Sequence, residues 1–80
     1  MAKKAVVTVG RDLAAKQIWE APQSENPFET PAQVLIAEVR KNDAGVLWVK
    51  YSRYLPNVGS QPFSYDKESD FRAAYPTFVQ

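Results

Sequence analysis

The chain has no cysteine and no histidine among its 80 residues, and only three glycines. The missing cysteine excludes disulfides, thiolate metal sites and thiol nucleophiles together, and it suits a reducing compartment or a secreted chain that needs no staples; of the two, a cytoplasmic location is expected. Without histidine there is no side chain whose ordinary pKa lies near neutrality, which removes the commonest general base. Three scattered glycines form no phosphate-cradling loop. No apolar run approaches the roughly 20 residues of a membrane span, and residues 1–10 lack the apolar centre of a signal peptide. Charge of one sign is scarce as well. Ten basic against nine acidic residues give a net charge of +1, too small for a broad positive field. These absences point away from an enzyme and from any cofactor.

What the chain does have is one domain's length, an ordinary 45% of apolar residues, and ten aromatic side chains that each bring a large area to bury. The core of so short a chain is thin. The whole of 1–80 reads as a single small domain, with 1–4 a flexible tail that includes Lys3 and Lys4.

Ala5 to Val9 is a β-branched run closed by Gly10 and reads as a strand. Asp12 to Glu20 fits two patterns, a helix capped by Asp12 or a strand around Ile18 and Trp19, and the extended reading is narrowly favoured. Pro22, Pro27 and Pro31 forbid a continuous helix or central strand and make 21–33 a proline-rich loop. Phe28 is the lone large apolar residue in it and is expected to fold back onto the core. Its Asn26-Pro27-Phe28 sequence matches the peptide bound by eukaryotic endocytic EH domains, a three-residue match that chance also produces. Glu20, Glu25 and Glu29 are the carboxylates best placed for acid/base work or cation binding, but they lack calcium-loop spacing and read as solvated.

The strongest local signal is a β-hairpin from Val34 to Tyr54. Asn42 and Asp43 favour a type I turn, and Gly45 supplies the left-handed residue of a G1 bulge. Pairing Asn42 with Val46 sets Val39 opposite Val49, Ala37 opposite Tyr51 and Leu35 opposite Arg53 on an inward face. The other face then pairs Arg40 with Trp48, Glu38 with Lys50 and Ile36 with Ser52, and these polar and aromatic neighbours favour the register. Leu55 to Pro62 is a turn-rich connection, and Phe63 to Tyr65 adds an edge strand. Asp66 is positioned to cap a short helix with Glu68 and Asp70 in its first turn. Phe71, Ala74 and Tyr75 form its inward stripe, and Pro76 ends it. Together these elements predict a mainly β (or α+β) fold, either a small curled antiparallel sheet or an SH3-like barrel, with a short C-terminal helix.

Arg40, Trp48, Lys50, Arg53 and Tyr54 mix cations with aromatic rings and are the candidate partner-binding residues. Such a mixture serves protein interfaces and single-stranded nucleic acid alike. It is also what a two-sided sheet shows when Trp48 covers its second face and Lys50 pairs with Glu38.

The Ile18-Trp19-Glu20 strand, Asn26-Pro27-Phe28-Glu29, the Val34 to Val39 run, Gly45, Val49 to Tyr51, and Phe71 with Tyr75 together resemble small uncharacterised proteins encoded by bacteriophages and prophages. The resemblance spans roughly 17–79, rests mostly on apolar positions, and departs at the long Tyr54 to Phe63 connection. It implies a host bacterial cytoplasm and a non-catalytic accessory role, binding a host or defence protein stoichiometrically, with no catalytic residues to carry over. A small nucleic-acid-binding β-barrel using the same hairpin face is the first alternative. A structural component of a phage assembly, which would self-associate, is the second.

Overall fold

The computed structural model describes residues 11–80. The strand expected at 5–9 and the tail at 1–4 lie outside them. Five antiparallel strands form one open sheet: β1 (Ile18–Glu20), β2 (Gln33–Lys41), β3 (Leu47–Arg53), β4 (Phe63–Lys67) and β5 (Thr77–Phe78). Their order is β4-β3-β2-β1-β5, which leaves β4 and β5 as edges among the described residues, so these residues make a curled sheet and no closed barrel. The one helix among the described residues, α1 (Glu68–Ala74), follows β4 directly.

The β2–β3 turn forms as its residues dictate. The Asn42 side-chain carbonyl accepts hydrogen bonds from the amides of Ala44 (2.9 Å) and Val46 (3.0 Å), and Gly45 sits at φ +81°. That conformation strains any residue with a Cβ. From the turn the ladder runs as expected through Arg40 with Trp48, Val39 with Val49 and Glu38 with Lys50.

Beyond Glu38 the ladder shifts by one. Ala37 is left without a partner in a bulge, so Ile36 pairs with Tyr51, Leu35 with Ser52 and Val34 with Arg53. The bulge corrects the expected inward face: Ile36 and Val34 are buried in place of Ala37, which is exposed, and Leu35, which is half-buried. The physical gain is direct. One extra residue lets β2 turn two large β-branched side chains inward on one side of the bulge while Val39 still packs inward on the other.

The core is largely aromatic. Trp19, Phe71, Val34, Ile36 and Val49 are fully buried, Leu13 and Tyr51 nearly so, and Val39, Tyr75 and Phe78 pack against them. Phe71 meets Tyr51 edge-on at 5.1 Å between ring centres, and Trp19 meets Phe78 likewise at 5.4 Å. Edge-to-face pairs add about 0.5–1.5 kcal/mol each beyond area burial, which matters in a domain with so little interior.

Helix α1 corrects two further expectations. Its N-cap is Lys67, with no side-chain cap, because β4 runs on through Lys67 and the inward Asp66 carboxylate accepts the Tyr51 hydroxyl at 2.6 Å. Phe71 and Tyr75 do turn inward, whereas Ala74 is exposed.

The loop at 21–32 also differs from expectation. Phe28 is 93% exposed instead of packed on the core. The aromatic cluster under the sheet is filled without it, and the loop satisfies its own polar groups. Phe28 donates its amide to the Asn26 side chain (3.0 Å), and Glu29 donates its amide to the Asn26 carbonyl (3.1 Å). Ser24 donates to the Glu29 carboxylate (2.7 Å), and Gln23 to the Glu29 carbonyl (2.8 Å). A backbone bond from Ala21 to Ala32 (2.8 Å) closes the neck. The result is a self-contained turn that carries an aromatic ring into solvent.

Candidate functional site: the outer sheet face

The inner face of the sheet holds the core and α1. The outer face holds every second residue of β2, β3 and β4, and among the described residues no helix or strand lies across its β2–β4 half. The antiparallel registers place the side chains row by row. Arg40, Trp48 and Lys67 form the row nearest the β2–β3 turn, Glu38, Lys50 and Tyr65 the next, and Leu35, Ser52 and Phe63 the third.

Three aromatic rings therefore stand on one rigid surface with substantial exposure: Trp48 at 36%, Phe63 at 50% and Tyr65 at 60%. Three cations stand between them against the single carboxylate of Glu38. Arg40 pairs with that carboxylate through its guanidinium. Lys50 lies opposite Glu38 but forms no ion pair among the described residues, and its ammonium sits 4.4 Å over the Phe63 ring centre. Glu38, Arg40, Trp48, Lys50 and Tyr65 border a shallow depression of about 340 Å³.

Of the five residues picked from sequence, the structure brings Arg40, Trp48 and Lys50 together on this face. Arg53 is paired with the inward Val34, so alternation along β3 points it away from Lys50. Tyr54 follows β3, donates its amide to the Gln33 carbonyl (2.8 Å), and with Leu35, Leu55, Val58 and Phe63 borders a separate hollow. Phe63, Tyr65 and Lys67 belong to the face and were not among the five. Their period-two spacing is the signal that could have found them, had β4 been carried through Lys67 rather than broken at Asp66 for a cap.

The carboxylates considered for chemistry do not converge. Glu20 accepts from Gln33 across the β1–β2 ladder (3.1 Å), and Glu29 is taken up inside its own turn. Among the described residues no cluster of three or more potential metal ligands occurs, and no helix is long and apolar enough to cross a membrane. No protein-family model, curated protein or solved structure matches the chain.

Proposed function

We propose that the chain is a non-catalytic accessory protein of phage type that binds a host or defence protein stoichiometrically, and that the outer face of β2, β3 and β4 is its contact surface. The observation that carries this reading is the set of Trp48, Phe63 and Tyr65 exposed together beside Arg40 on a hydrogen-bonded sheet. Trp, Tyr and Arg are the residues over-represented at interface hot spots, and rings held on a sheet lose little freedom when a partner covers them. On this reading the protein works in the cytoplasm of the host bacterium. The immobilised chain should capture one bacterial protein from lysate at fixed stoichiometry. Trp48→Ala should weaken that capture about tenfold or more, while Asp43→Ala, at the turn and off the face, leaves it intact. Capture by neither the native chain nor the control variant, or equal capture by Trp48→Ala, counts against the reading.

A second reading is favoured by one specific contact, the Lys50 ammonium resting on the Phe63 ring, which bridges two rows of a face where cations and rings are interleaved. Single-stranded nucleic acid uses that combination for backbone charge and base stacking. With three cations engaged, the logarithm of affinity for a fluorescent oligonucleotide should fall against the logarithm of salt with a slope of about −2. Lys50→Glu with Lys67→Glu should abolish binding. A flat anisotropy titration at low salt rules this reading out.

A further inference from the structure

The 21–32 turn and the depression on the outer face are complementary, and they lie toward opposite ends of β2. The turn carries Glu25 and Glu29 with no basic residue, and it holds Phe28 almost wholly in solvent on a frame of internal hydrogen bonds. The outer face offers the reverse: a depression walled by Trp48 and Tyr65 and lined by Arg40 and Lys50 against one carboxylate, Glu38, with Lys67 opposite Trp48 in the next strand. A large ring fully exposed on an ordered turn is the form in which an interface anchor is best presented, since ordering it on binding costs little.

The turn cannot reach its own molecule's depression. It enters β2 at Gln33, whereas the depression lies around Arg40 and Trp48, at the other end of a nine-residue strand. At ~3.4 Å per residue that separation is about 25 Å. A second copy laid antiparallel beside the first brings each turn to the other's depression, so one two-fold axis makes both contacts at once and closes the assembly. The net charge of only +1 leaves little general repulsion to oppose it.

We propose that the chain forms a symmetric homodimer in which Phe28, flanked by Glu25 and Glu29, docks between Trp48 and Tyr65 of a second copy. The inference rests on the reading of the outer face as a protein-contact surface, and names a second copy as its occupant. Phe28 then shields the same rings that a different partner would need, so the dimer and the partner complex compete.

Sedimentation velocity over a range from micromolar to millimolar chain tests it. The native chain should move from 9.0 kDa toward twice that mass as concentration rises. Phe28→Ala, the pair Glu25→Lys with Glu29→Lys, and the pair Lys50→Glu with Lys67→Glu should each weaken self-association about tenfold or more. All are surface changes, and circular dichroism verifies that each variant is folded. Combining both charge-reversing pairs in one chain should restore the dimer. A native chain monomeric at millimolar concentration overturns the proposal, as does a dimer that survives Phe28→Ala or a double reversal that stays monomeric while folded. The lysate experiment reads separately: a native chain that is strictly monomeric yet captures a partner that Trp48→Ala loses leaves the outer-face reading standing and removes only the dimer.

Discussion

Phe71→Ala should leave the chain barely folded or unfolded at room temperature. Phe71 is fully buried and touches Trp19, Tyr51 and Tyr75, so its removal opens a hole between helix and sheet. Phe-to-Ala changes in cores cost about 3–5 kcal/mol. A domain of this length has roughly 4–12 kcal/mol in total. The neighbours are rings held by β1, β3 and the helix C-terminus, two edge-on and Tyr75 tilted, and they have little freedom to collapse into the space. Urea unfolding followed by far-ultraviolet circular dichroism checks this, with Phe63→Ala as the comparison. Phe63 is half exposed on the outer face, and its loss should move the midpoint only slightly. Equal midpoints for the two variants would show that α1 is not a structural part of the core.

The second large effect is alkaline. Tyr51 is held well above tyrosine's ordinary pKa, first by burial and then by its hydrogen bond to the Asp66 carboxylate, with Tyr75 adding a smaller push in the same direction. Ionising it in the folded state would put a phenolate against a carboxylate. The folded value lies above the unfolded one, so the stability it contributes is intact below about pH 10, where both states keep the proton. Above that the unfolded chain releases the proton and the folded chain does not. Stability then falls by up to about 1.4 kcal/mol per pH unit from this group alone. Urea midpoints between pH 8 and pH 12 should drop steeply for the native chain. Tyr51→Phe should start about 1 kcal/mol lower, because Asp66 loses its donor, but its curve should be flatter. Parallel curves would mean that Tyr51 ionises as freely folded as unfolded.

Local chemistry made most of the fold legible. Asn42 and Gly45 specify the turn, and the turn carries the register reliably for as far as the ladder stays regular, through Glu38. It fails at Ala37 because a bulge leaves no local mark: alanine is unremarkable in a strand, and the advantage lies in what Ile36 and Val34 reach on the far side. The extended reading of Ile18 and Trp19 holds because both are buried in β1. β5 was invisible, since two residues after a proline carry no periodicity, and it is a strand only because β1 lies beside it.

The site divides along the same line. Arg40, Trp48 and Lys50 follow from the hairpin register. Phe63, Tyr65 and Lys67 join them through the β3–β4 register, which the irregular 54–62 connection does not announce. Phe28 departs from expectation for a related reason: an isolated apolar residue in a loop is ordinarily drawn inward, and only the closed hydrogen bonding of the turn shows why this one is not.

The pairing of β1 with β5 orders events as well as atoms. The β2–β3 hairpin joins neighbours across a four-residue turn and can form early. Trp19 pairs with Phe78 across nearly the whole of the described chain. Loop-closure entropy makes such a contact slow to win until the intervening segments are themselves compact. The sheet is therefore expected to build outward from the hairpin, with the β1–β5 seam beside Trp19 closing last.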